Sequence, residues 1–351
     1  MLLFFILLLI VPCLTIKKRT NDDGVVFDAK STTCLKGIIC LFVMFHNLGL
    51  DYPGNNEIME LICEHAGGVG VGLFFFLSAF GIIRSYQKKG NKYILKLIFV
   101  HSAKIYLIAV FVNLLTYLLF LQGSYEPADA VLRILNLDLL NGFKRINRHG
   151  WYIATIILMY LIFGLIYYLC SKLKTKNKWI IAGVTLSIVS VGLRVAAIIA
   201  DTGGMYTREI TVFSTGVLYA TFYDQINAFF NKYFKLSLVV SFVAMWIGFF
   251  LFEPLSTHAA AIFLIVISQK ISYYHPVSFF LGKICIGVYL FLHLSSIILQ
   301  PYLNNPYWWM LLNAGFILEL SVLLYGIQII ISKVINLIKE KIKKKEGDLI
   351  A

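Results

Sequence analysis

The chain has 351 residues, of which 59% are hydrophobic and only 14% charged, against about 25% charged in ordinary soluble domains. With a mean hydropathy of +0.81, this excludes a soluble enzyme, a disulfide-stapled secreted domain and a disordered chain. The continuous apolar runs exclude a β-barrel, and a net charge of +13 points first to membrane topology rather than to nucleic acid.

In chain order, the apolar runs predict an all-α, polytopic transmembrane helical bundle of ten core spans plus one N-terminal extra span. The extra run, Met1–Ile16, is followed rather than preceded by Lys17, Lys18 and Arg19. A signal peptide has the opposite order, so we read a retained helix, with cleavage as the alternative. Lys36–Leu50 carries Lys36 at its start and His46 ten residues on, about 15 Å farther along the axis and about 80° around it. An interfacial lysine and a core histidine is the plain alternative. Gly68–Tyr86 opens on small residues that favour close helix packing and holds Ser78 inside a phenylalanine run.

Ile94–Gln122 carries His101 and Lys104 near its entry, with Lys96 just before them. That is a basic pocket suited to phosphate, or else inner-leaflet anchoring by snorkelling. Before Trp151–Ser171 stand Lys144, Arg145, Arg148 and His149, an anionic-ligand site or an interfacial belt with Trp151 and Tyr152. Trp179–Ala200 contains Arg194, to which we assign no role. Glu209–Tyr223, Leu236–Phe252 and Ala259–Ser272 follow, the last short for a layer of roughly 30 Å. Val277–Leu299 repeats the ten-residue spacing with Lys283 and His293. Trp308–Ile331 contains Glu319, again without an assigned role. Residues 332–351 read as a basic amphipathic tail on the inner leaflet.

Alternate connections hold 24 of the 31 basic residues and the opposite set holds 5. This bias places the N-terminus outside and the C-terminus in the cytoplasm. The six cysteines are scattered, so no disulfide framework is expected, and no metal-binding or nucleotide-binding motif occurs. Charged groups inside spans cost roughly 2.5–3.5 kcal/mol each and mark function by default.

The ordered stretches Lys36-Gly37-Ile38 with His46, Phe74-Phe75-Phe76-Leu77-Ser78-Ala79-Phe80, Trp151-Tyr152-Ile153 and Leu281 to His293 resemble the acyltransferase 3 family of integral membrane acyltransferases. The resemblance runs from Asp28 to Ile331, with 1–27 as an extra helix and linker. Departures are Asn47 at the position aligned with the family's histidine, Ala79 for glycine and Cys285 for serine. His101 and Lys104 stand where the family has a basic pair whose first member is arginine, and His293 lies one residue late. The resemblance implies transfer of an acetyl or other short acyl group from cytoplasmic acyl-CoA, with acetyl-CoA as co-substrate and no metal. The acceptor would be a hydroxyl of a surface polysaccharide or its lipid-linked precursor, outside the plasma membrane. On this reading His46 is the catalytic base, and Lys36, His101 and Lys104 hold the acyl-CoA. Asn47, Ser78, Arg148, His149, Trp151, Lys283 and His293 are acceptor-side or supporting residues. The partners are acyl-CoA, the glycan and the bilayer, with no nucleic acid. A transporter or flippase is the rival class; it predicts broken helices and internal repeats.

Overall fold

A computed structural model describes residues 10–20, 25–52, 57–137, 145–200 and 209–350; the side chains of 57–66, 253 and 334–350 lie outside that description. Lys144 and Met1–Leu9 also fall outside it. The helices are α1 (Ala29–Leu50), α2 (Glu57–Lys89), α3 (Asn91–Phe120), α4 (Pro127–Ile134), α5 (Trp151–Ser171), α6 (Lys178–Ile199), α7 (Ile210–Thr221), α8 (Tyr223–Lys232), α9 (Phe234–Leu251), α10 (Glu253–Ile267), α11 (Pro276–Leu299) and α12 (Pro306–Ile350). Among the described residues, eight are long and apolar enough to cross a membrane, and α7 and α10 are shorter apolar helices. Each of the ten predicted core runs forms one of these helices, so the protein is an all-α, multi-pass helical bundle.

Local chemistry sets where the key helices begin. The Asp28 side chain accepts from the Ser31 amide at 2.7 Å, capping the first turn of α1. Pro276 opens α11, where its missing N–H costs nothing, and His275 Nδ1 accepts from the Val277 amide. These two helices make the most extensive pairing in the bundle. They cross glycine to glycine: a Cβ on Gly37 would stand 2.8 Å from the Gly282 amide nitrogen. Most of the phenylalanine run of α2 is core. Phe76 and Phe80 stack on Tyr219 of α7 at 6.0 and 5.2 Å. His258 of α10 joins Thr215 and Thr211 of α7 at 2.8 and 3.0 Å, a polar link of the kind that joins membrane helices.

Three features differ from the apolar-run reading. The run Ala259–Ser272 is helical only to Ile267; Ile271–Tyr273 is a strand (β2) that pairs antiparallel with Ile16–Lys18 (β1). Arg19 extends this strap through its amide to Lys270 and its guanidinium to the Ser268 carbonyl. Both tied connections belong to the lysine-rich set, and the strap puts them at the same end of the bundle. Second, α3 contains a π-helical turn at Leu97–Ser102, a distortion often found at functional sites. Third, residues 123–137 of the connection after α3 fold back along that helix. Asn113 donates to the carbonyls of Arg133 and Ile134, and the Tyr106 hydroxyl donates to that of Leu135. Irregular backbone is tolerated at such depth where protein covers it.

Candidate functional site

Three groups of the predicted residues meet in space, at successive levels along α11. At the basic end, the π-helical turn brings His101, and the next turn Lys104, to face Lys283 of α11. With Lys333, Tyr325, Gln328 and Ser332 of α12 they line an open vestibule of about 550 Å³. His101, Lys104, Lys283 and Lys333 are all exposed there, so their charges are available to a polyanion. The Lys283 ammonium rests over the Phe279 ring at 5.0 Å, which fixes the direction of a flexible side chain. Lys333 was not singled out by sequence, because a lysine just beyond a span looks like an ordinary anchor.

Ile105 and Ile286 close the inner end of the vestibule and also line a second cavity of about 90 Å³. Lys36, Ser78, Tyr152, Tyr160, Cys285 and Tyr289 supply its polar atoms, with Val71, Phe74, Ile153 and Ile156 among the rest. Ser78, which sequence reasoning marked, lines it together with Tyr152 and Tyr160. Cys285 lines the same cavity as Lys36 and is within electrostatic reach of its ammonium. No carboxylate pairs with Lys36 among the described residues. Lys36 thus stands one chamber beyond the other lysines.

Tyr289 is shared with the third group, since its ring also meets that of His149 at 6.0 Å. His149 lies 6.4 Å from the His293 ring, centroid to centroid. Asp51, the cap residue after α1, gathers the group. Its Oδ1 accepts from Arg148 at 2.6 Å, and its Oδ2 from Ser296 at 3.0 Å. His149 Nε2 stands 3.8 Å from Oδ2. Asn147 fixes the approach: its amide donates to the Leu290 carbonyl and its oxygen accepts from the His149 amide.

Burial pushes the Asp51 carboxyl upward, but His149, Arg148 and Ser296 together outweigh it and hold the group below the usual carboxylate range. A carboxyl whose folded value is depressed stabilises the protein above its unfolded value, about 3.9, and that contribution disappears as pH falls through the folded value. The melting temperature of the detergent-purified protein should therefore fall progressively as the pH drops below about 5. Asp51→Asn should lose stability at pH 7 and show a shallower acid fall. Equal acid slopes in the two proteins would show that the cluster does not couple to folding.

His46 and Asn47 stand apart from this line. A Cβ on Gly67 of α2 would overlap the His46 ring, so that ring fills the α1–α2 crossing, and His46 does not line either chamber. Asn47 donates to the Val43 carbonyl at 2.7 Å and is buried. At 100° per residue it shares the face of Lys36 to within about 20°. Trp151 is half-buried, edge-on to Tyr152 at 6.4 Å. Sequence reasoning missed Asp51, Ser296, Tyr160 and Tyr289. Asp51 did offer a signal: a carboxylate at a helix C-terminus opposes the helix dipole and so calls for a cationic partner. Among the described residues, no three His, Cys, Asp or Glu side chains are grouped to hold a metal ion.

Neither the curated proteins nor the solved structures give a match to the chain. A protein-family model described as an acyltransferase domain matches residues 30–332, a stretch that contains the Asp51 cluster and every lining residue of the two chambers except Lys333. The chain therefore belongs to the acyltransferase 3 family and is a membrane acyltransferase.

Proposed function

We propose that this acyltransferase takes an acetyl or other short acyl group from acyl-CoA at the basic end and passes it to a hydroxyl brought to the histidine end. The observation that carries the reading is the pair of chambers that share Ile105 and Ile286. The outer one is open and basic, as CoA phosphates require. The inner one is small and holds a cation with tyrosine hydroxyls, as a short thioester head requires. His101, Lys104, Lys283 and Lys333 bind the phosphates, and the pantetheine arm passes Ile105 and Ile286. Lys36 then meets the thioester carbonyl, where negative charge develops during attack.

The positive-inside bias makes the basic end cytoplasmic, in a plasma membrane, where acetyl-CoA is available. The acceptor is then an extracytoplasmic sugar hydroxyl, on a surface polysaccharide or its lipid-linked precursor. Attack forms the ester O–C bond and breaks the thioester C–S bond, and the acceptor's proton ends on the departing CoA thiol.

The test is acyl transfer by inside-out membrane vesicles containing the full chain, supplied with acetyl-CoA labelled in its acetyl group. Label should appear in the vesicles' own glycan fraction. Export of unmodified glycan without label would assign the protein to transport instead. In the same assay Lys104→Ala should raise the KM for acetyl-CoA about tenfold, equivalent to about 1.4 kcal/mol, with kcat nearly unchanged. An unchanged KM would return Lys104 to membrane anchoring.

A further inference from the structure

We infer that His149, held by Asp51, is the base that takes the proton from the acceptor hydroxyl. The inference rests on the acyl-transfer reading above and assigns a step which that reading leaves open. Three observations carry it. First, His149 is 6% exposed, and its Nε2 is buried without a hydrogen-bond partner, 3.8 Å from Asp51 Oδ2. A buried polar atom left short of its partner by less than an ångström is a costly arrangement. It is the loose geometry expected of a catalytic pair that tightens only when substrate arrives. Second, the Tyr289 ring both lines the inner chamber and touches His149, so the imidazole stands one side chain away from the place proposed for the acyl group. Third, Asn136 Oδ1 is also buried without a partner. Asn136 donates to the carbonyl of Gly150, the residue after His149, and unsatisfied acceptors of this kind suit the neighbouring hydroxyls of a sugar.

The charged and titratable groups around His149 come from several elements: Asp51 after α1, Arg148 beside it, and Tyr289 and His293 on α11. Arg145 and Glu209 lie within electrostatic reach of Tyr289. With Nε2 turned to Asp51, Nδ1 is the nitrogen that accepts the proton. The acceptor oxygen attacks the thioester carbonyl, the C–S bond breaks, and the imidazolium returns its proton to the CoA thiolate, so nothing is consumed or left over. Asp51 is a positioning residue, which holds the ring and stabilises its charged form.

The experiment uses inside-out vesicles with labelled acetyl-CoA, in which the wild-type chain must first transfer label; failure there overturns the acyl-transfer reading itself. Given that transfer, His149→Gln should lower kcat at least 100-fold, within the range of base catalysis, and leave the KM for acetyl-CoA within twofold. His149→Gly should recover activity on addition of imidazole, a response that a misfolded protein does not give. Asp51→Asn should lower kcat about tenfold and leave the KM for acetyl-CoA within twofold, because the ring loses the carboxylate that orients it while the donor site is untouched. Activity within threefold of wild type in His149→Gln, together with its loss in His46→Ala, would overturn the inference and return the proton transfer to α1.

Discussion

Lys36→Met should lower kcat by about 10²–10³-fold, the usual cost of removing one preorganised donor from a developing oxyanion, while leaving the KM for acetyl-CoA within about twofold. The split follows from where the cations stand. Four of them, His101, Lys104, Lys283 and Lys333, line the vestibule and are the candidates to hold phosphate. Lys36 lies past Ile105 and Ile286, among Ser78, Tyr152, Tyr160 and Cys285. A cation in a small, largely apolar chamber acts far more strongly on new charge than one in water. Methionine keeps the length and apolar stem but not the ammonium. The same substitution should raise the melting temperature, because it removes a cation with no carboxylate partner among the described residues from a membrane span, where a lysine costs roughly 2.5–3.5 kcal/mol at the centre. Steady-state kinetics and a thermal melt on the same preparation check both halves. A large rise in KM with kcat intact would move Lys36 into the phosphate group.

Gly282→Val should remove most of the folded protein. A Cβ on Gly282 would stand 2.8 Å from the Thr33 carbonyl carbon and overlap its oxygen, and one on Gly37 would lie 3.0 Å from the Leu281 Cβ. The obstacle is helix backbone, which cannot turn aside as a side-chain tip can. Overpacking typically costs 1–3 kcal/mol, and here α1 and α11 must separate, so the cost should reach at least about 3 kcal/mol. That separation also pulls Lys36, next to Gly37, away from Cys285. Gly81 and Gly315 meet nothing within 4 Å, so alanine at either should be neutral or mildly stabilising, since alanine favours helix by up to about 1 kcal/mol. Fluorescence-detected size-exclusion of the three variants decides this. A monodisperse Gly282→Val peak of wild-type height would mean that the crossing is loose.

The helices were legible in the sequence because a membrane span declares itself by composition over some 20 residues. The run through Ser272 misled because Ile271 extends an apolar stretch whose helix ends at Ile267. The β1–β2 strap has only three residues per strand, and its partners lie some 250 positions apart, so no local pattern announces it. The π-helical turn at Leu97–Ser102 leaves no periodic trace in an apolar segment. At the site, Lys104 and Lys283 were visible as charges within or beside apolar runs. Tyr160 and Tyr289 were not, because a tyrosine in a span reads like any aromatic. Asp51 and His149 come from connections about 100 residues apart, and only the folding-back of the segment before α5 joins them.

The central claim is a donor site at the basic end and an acceptor site at the other. The most direct test reconstitutes the purified protein in liposomes, with labelled acetyl-CoA and a membrane-impermeant glycan confined to chosen sides. Label should reach the glycan only when donor faces the lysine-rich end and acceptor faces the His149 end across the bilayer. Transfer that proceeds equally well with both on one side would contradict the account.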